Sequence, residues 1–322
     1  MTAPHCRACG SVHTTLRGSK FGQFIRREFQ FHQCRDCELL FVEPFVGFEI
    51  YNDAYYRGHG PDPFVDYETE YRDYRRTDRV LEFEDLFRLA ENFFQPSSTS
   101  PLSPAPSPQA PRPSPANAAP LHWLDFGCGA GGFLKFLRER GSFHSQPLQL
   151  TGHDVGSYAD LLKTRDAFRI LDFDEISREP SARYDVISLI EVIEHLPDPA
   201  ATLALVARLL KPGGLLLLTT GNLDGPVARR QGIHYRYCAP EIHVSLFNPR
   251  SLAKLYARVG LVPRLVRYDG AVKFKVVKSL RHHRAARALA NFALHFPPFV
   301  RLIDWLYGVS AMPCAVKPPP PA

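Results

Sequence analysis

Between residues 121 and 260, short apolar runs alternate with segments whose apolar residues recur every three or four positions. LHWLDF (121–126), PLQLTGHD (147–154), DVISLI (185–190) and GLLLLTT (214–220) show little polar alternation, the pattern of strands buried on both faces. GFLKFLRER, SYADLLK and AATLALVARLL fit helices between them. Lys211-Pro212-Gly213-Gly214 reads as the turn into the last of these strands, and PRSLAKLYARVG as a helix opening after Asn248-Pro249. Such alternation predicts an α/β fold, a mostly parallel sheet covered by helices on both faces.

The flanks differ. From Asp66 to Phe94 the spacing of Val80, Leu81, Phe83, Leu86, Phe87, Ala90 and Phe94 predicts mostly helix, preceded by Tyr51, Tyr55 and Tyr56. Residues 96–120 are Pro- and Ser-rich and read as an extended linker, because Pro blocks both helix and sheet. After 260, PRLVRYD and VKFKVV read as strands. Helical material broken at Pro297-Pro298 follows, then SAMPCAVKP as a last strand. The expected organisation is a module at 1–45, an aromatic helical cap at 46–95, the linker at 96–120, and the main domain at 121–322 with a helical insert at about 278–309.

Composition alters this picture in three places. Hydrophobic residues make up 45% and charged residues 22%, so a sizeable core is available and a wholly disordered chain is excluded. Neither an apolar run long enough to span a membrane nor a secretory leader is visible, and a cytoplasmic location is expected. The net charge of +6 is uneven: residues 261–322 carry ten Lys/Arg against two Asp/Glu. That basic end is expected to be either a solubilising surface or an attractor of phosphates or of an anionic membrane surface, as a peripheral contact. Four of the seven Cys form two CxxC pairs, Cys6/Cys9 and Cys34/Cys37, separated by 24 residues. Around the second pair, FIRREFQFHQ and ELLFVEP read as strands too poor in apolar surface to fold alone. Four thiolates suit a structural Zn(II), whose tetrahedral shell they fill.

The chemistry concentrates in Leu124-Asp125-Phe126-Gly127-Cys128-Gly129-Ala130-Gly131-Gly132, a D-x-G-x-G-x-G turn between a strand and a helix. Glycines there let backbone N–H groups approach a ligand at a helix N-terminus. Asp154 ends the next strand, where a carboxylate can accept ribose hydroxyls. With GHDVG, YDVISLIEVIEHLPDP, LLKPGGLLLLTT and EIHVSLFNPRSLAKLYARVGL following in order, the chain resembles the class I S-adenosylmethionine-dependent methyltransferases, whose sheet is Rossmann-like. With the CxxC pairs and Tyr-rich stretch in front, it is similar to the zinc-ribbon methyltransferases of bacterial polysaccharide and secondary-metabolite pathways. The sugar C-methyltransferases among these carry a further C-terminal domain, for which this chain is too short.

The resemblance implies roles for particular residues. Asp125 and the backbone of Gly127, Gly129 and Gly131 hold the methionine moiety. Asp154 binds the ribose, Val155 lies beside the adenine, and Asp172 or Phe173 meets the adenine edge and face. Ile190 and Glu191 lie beneath the sulfonium. Methyl transfer needs alignment, dry surroundings and, for an oxygen or nitrogen acceptor, a base. His243 is the preferred base and His195 the alternative. Glu191, Glu194 and His195 form E-x-x-E-H, which on one helical face would offer Mg(II) or Zn(II) two carboxylates and an imidazole. The expected acceptor is a small molecule, such as a nucleotide-linked sugar or a polyketide-type metabolite. Nucleic acid is not expected, because the Glu191–His195 run replaces the Asp/Asn-Pro-Pro-aromatic run of many amino-methylating nucleic-acid enzymes. The rival readings are an rRNA or tRNA base methyltransferase and a non-enzymatic zinc-binding scaffold.

Overall fold

A computed structural model describes residues 4–62, 66–94, 119–264, 283–308 and 313–319, with isolated positions between 266 and 280. The linker expected at 96–120 lies almost wholly outside the described residues. Strands β1 (Thr14–Phe21), β2 (Glu28–Cys34) and β3 (Leu40–Glu43) come first, then helices α1 (Tyr67–Asp73) and α2 (Val80–Phe94). The alternating part follows as β4 (Leu121–Phe126), α3 (Gly132–Arg140), β5 (Ser142–Phe143), β6 (Gln146–His153), α4 (Tyr158–Thr164), β7 (Arg169–Leu171), α5 (Phe173–Arg178), β8 (Tyr184–Ile190), α6 (Pro199–Leu209) and β9 (Leu210–Thr219). Then come α7 (Pro226–Gln231), β10 (Ser245–Leu246), α8 (Pro249–Arg258), β11 (Val262–Arg264), α9 (Arg284–Ala293), α10 (Pro297–Tyr307) and β12 (Cys314–Val316).

The large sheet has the order β11-β12-β9-β8-β4-β6, with β5 and β7 both on β6. Strands β4, β6, β7, β8 and β9 are parallel, while β12 runs antiparallel to both its neighbours. This is the Rossmann-like methyltransferase fold. Its strands are apolar throughout because both faces are covered. Leu124, Phe126, Ile187, Leu189, Leu216 and Leu218 pack on one side, and Trp123, Val186, Leu215 and Leu217 on the other. The second face is closed by Phe83, Leu86, Phe87 and Ala90 of α2 and by Leu294 and Val300 near the chain end. The segment expected to be a cap therefore supplies a layer of the main sandwich.

The N-terminal sheet, ordered β1-β2-β3-β10, is antiparallel. Its fourth strand, Ser245–Leu246, comes from the main domain and pairs with Phe41 and Leu40. Arg7 donates to the carbonyls of Val244 and Val42, and Glu241 accepts from the backbone N–H groups of Gln23, Phe24 and Ile25. Cys6, Cys37, Leu39 and Phe41 share one apolar cluster with Leu203, Phe247 and Leu252. Both hydrogen bonds and core thus cross the boundary expected at residue 45.

One local expectation is refined and one corrected. Lys211–Gly214 falls within the span of β9 as a turn-like bulge: these four residues stand opposite Asp185 alone, Gly213 has φ of 77°, and pairing with β8 resumes at Leu215. At VKFKVV the described positions, Val272, Lys273, Val276 and Val277, are helical, not extended.

Candidate active site

The glycine turn lies at the carboxyl end of β4, between β6 and β8, where open parallel sheets bind ligands. Gly129 and Gly131 have φ of 52° and 76°, a region that side-chain-bearing residues rarely adopt. A Cβ on Gly129 would stand 2.9 Å from the Tyr67 ring, so the turn also has no spare room. Asp154 clamps it. One carboxylate oxygen accepts from Gly129 N–H at 2.7 Å and the other from Gly156 N–H at 2.7 Å. Gly127 N–H bonds the His153 carbonyl.

Asp125 is buried on β4 and accepts from the Ser188 hydroxyl of β8 at 2.7 Å. Burial pushes its carboxyl up to about 7, against the pull of that hydrogen bond and of the Arg79 charge. Arg79, at the start of α2, sits 3.1 Å from buried Glu70 and 3.7 Å from buried Glu82. Burial opposes its charge, but these carboxylates more than compensate and hold its pKa above the usual range. Glu70 lies against Gly132, at the N-terminus of α3. The glycine turn is thus flanked by a buried acid and a partly buried cation.

At the exit of β8, Glu191 has φ of 55°, unusual for a residue with a side chain, and its N–H bonds the Thr219 carbonyl of β9. Glu194 is fully buried. It accepts from the Tyr237 hydroxyl at 2.6 Å and the Thr220 hydroxyl at 2.8 Å, and burial followed by the Glu191 charge raises its carboxyl to about 8. His195 Nδ1 lies 2.9 Å from the Ile242 carbonyl and 2.7 Å from the Tyr51 hydroxyl. Burial, then the neighbouring His243, lowers His195 to about 4. His243 Nδ1 lies 2.7 Å from the Tyr237 carbonyl. A carbonyl can only accept, so it favours the Nδ1–H tautomer in each ring and leaves Nε2 as the basic atom.

The E-x-x-E-H expectation is altered. The ligand atoms that converge within 4.8 Å belong to Glu194, His195 and His243, and Glu191 is not in that group. The reason is local: Glu191 is in the left-handed conformation, and only Ile193–His195 forms a 3₁₀ turn, so no helical face carries all three. Near the N-terminus, Cys6, Cys9, Cys34 and Cys37 also converge within 4.8 Å, with Cys6–Cys37 at 3.4 Å and Cys9–Cys34 at 3.6 Å. A tetrahedral zinc with bonds of about 2.3 Å separates its sulfurs by about 3.8 Å, so the donor set is close to that shape. Gly10 N–H to Cys6 carbonyl and Glu38 N–H to Cys34 carbonyl close the two knuckles. The four cysteines could hold zinc.

Among the other predicted positions, Ile190 is buried at the end of β8, and Val155 and Phe173 are 77% and 60% exposed on the rim. Asp172 caps α5 by a reciprocal capping box with Glu175, which occupies the carboxylate locally. Sequence reasoning missed Arg79, Thr220 and the position of Tyr237 against Glu194. A hollow of about 690 Å³ between α7, the start of α8 and α10 contains none of the predicted site residues.

Residues 102–266, about half the chain, match the family described as "Methyltransferase domain", and the chain belongs to that family. It is similar to the ubiquinone biosynthesis O-methyltransferase of Nitrosospira multiformis, with 31% identity over 153 residues, 44% of this chain and 62% of that protein. Its counterpart in Leptothrix cholodnii is 32% identical over 108 residues, 31% of this chain and 43% of that protein. The chain thus matches less than two thirds of these relatives' length. Among solved structures, a Haemonchus contortus phosphoethanolamine N-methyltransferase 2 with phosphomonomethylethanolamine and S-adenosylhomocysteine aligns with a TM-score of 0.49 and 14% identity. The alignment covers 94% of this chain and 69% of that one.

Proposed function

We propose that the protein transfers a methyl group from S-adenosylmethionine to a hydroxyl oxygen of a small molecule. The observation that carries this is the clamp of Asp154 on the Gly129 turn, with Asp125 and Arg79 beside it and the Glu191–His195 run at the neighbouring strand end. The donor supplies a methyl on a positive sulfonium, and the protein's task is alignment and desolvation. Asp125 faces the ammonium of the methionine end and Arg79 its carboxylate. Asp154 accepts from the ribose, and Val155 and Phe173 border the adenine. Ile190 and Glu191 lie under the sulfonium.

His243 accepts the hydroxyl proton at Nε2. His195 is held near 4, below the ordinary imidazole value, and positions Tyr51 and the Ile242 loop. Should a divalent ion assist, Glu194, His195 and His243 are the residues that would hold it. Cys6, Cys9, Cys34 and Cys37 hold a structural zinc, with no coordination position left for catalysis. Oxygen as the acceptor atom follows the similarity to the O-methyltransferases. A nucleotide-linked sugar or polyketide-type acceptor remains a proposal from the sequence resemblance.

The test is to incubate the protein with methyl-labelled donor and small-molecule extracts, and separately with RNA. Label in a small hydroxylated product supports the reading. Label in RNA supports the nucleic-acid rival, and donor binding without transfer to either contradicts the proposal.

A further inference from the structure

A helix lying on a protein surface normally turns its apolar stripe inward and its polar face to water. The pair α9 and α10 does this only in part. Ala290, Leu294 and Val300 are buried, the last two in the core beneath the sheet. The outer side is also apolar: Leu289 is 70% exposed, Phe292 64% and Trp305 64%, with Phe296 and Leu302 half exposed. Leu289 and Phe292 lie three residues apart on α9, and Leu302 and Trp305 three apart on α10, so each pair shares one side of its helix, with Phe296 at the start of α10. The Phe292 and Phe296 rings touch, with centroids 5.2 Å apart. Helix α10 is anchored to the body of the protein: it packs on α7, and the Asn222 amide donates to the Gly308 carbonyl at 2.7 Å.

We propose that this outer face docks on an anionic lipid surface. Aromatic and leucine side chains are the residues that settle at a headgroup boundary. Charge selects the partner. From 283 to 308 the sequence has Arg284, Arg287 and Arg301 against the single acid Asp304, within a chain end that carries ten Lys/Arg and two Asp/Glu. A second copy would bring two segments of net positive charge together, whereas an anionic bilayer complements them. These apolar sides are short and their helices are fixed on the sheet, so the contact is peripheral. No helix among the described residues is long and apolar enough to cross a membrane.

The chain offers a direct probe, since it has two Trp and Trp123 is fully buried. The full-length protein is mixed with vesicles of phosphatidylcholine alone or phosphatidylcholine with phosphatidylglycerol, at low and high salt. We expect flotation with the anionic vesicles at least about tenfold above the neutral ones, weakening with salt, and a blue shift of Trp305 emission. Trp305→Phe should abolish the shift without abolishing flotation. Phe292→Ser with Trp305→Ser should cut flotation about tenfold with an unchanged melting profile. Equal flotation of parent and double variant, or none with anionic vesicles, would overturn the proposal. So would a parent dimer in sedimentation that the double variant abolishes while vesicles leave Trp305 emission unshifted. None of these readouts depends on methyl transfer, so either reading can fail without the other.

Discussion

The Tyr51 hydroxyl lies 2.7 Å from His195 Nδ1 and donates to the Ile242 carbonyl, although 144 residues separate Tyr51 from His195. The Tyr-rich stretch ahead of the helices is thereby joined to the strand-end loop that carries the candidate chemistry. Tyr51→Phe removes one hydroxyl and little volume. We expect a loss of about 1 kcal/mol in stability and a fall in turnover of roughly tenfold, with donor affinity unchanged. Thermal melts, kcat and calorimetric Kd separate the three.

Asp154 accepts from the backbone N–H groups of Gly129 and Gly156. Asp154→Ala should weaken S-adenosylmethionine binding by about 100-fold, close to 2.7 kcal/mol. Asp154→Asn keeps an acceptor oxygen and should lose less. Unchanged calorimetric affinity in both variants would remove Asp154 from the site.

Asp125 should make donor binding depend on pH. In the free protein its carboxyl sits near 7, so it is mostly protonated below that pH. A bound ammonium and sulfonium favour the carboxylate, so binding below pH 7 must release a proton. Affinity should therefore rise with pH, by up to about tenfold per unit, until about pH 7 and then level off. Calorimetry in buffers of different ionisation enthalpy would detect the proton, and Asp125→Asn should flatten the profile.

The N-terminal sheet and the main domain share β10 and one core. Cys34→Ser, or removal of zinc by a chelator, should therefore lower the melting temperature of the whole chain, by roughly 5–10 °C. The isolated fragment 121–322 should aggregate, because it exposes Leu246 and Phe247 and lacks α2. Metal analysis and melts check the first expectation, and sedimentation the second.

What the sequence makes legible follows from range. Strand β4 and helix α3 coincide with LHWLDF and GFLKFLRER, because burial on both faces and a three-to-four spacing are local patterns. The glycine turn and Asp154 were legible as a spaced motif, and the cysteine pairs as a donor set. Arg79, Thr220 and the contact of Tyr237 with Glu194 were not, since each meets the site through tertiary packing and none has a spacing signature. The two-residue β10 is too short to leave a pattern.

The most direct measurement is a crystal structure of the full chain grown with saturating S-adenosylhomocysteine. We expect the nucleoside and amino acid over Gly127–Gly131, the ribose at Asp154, and the methionine-derived end between Asp125 and Arg79. Density for the ligand elsewhere, or an empty crevice at saturation, would contradict the assignment.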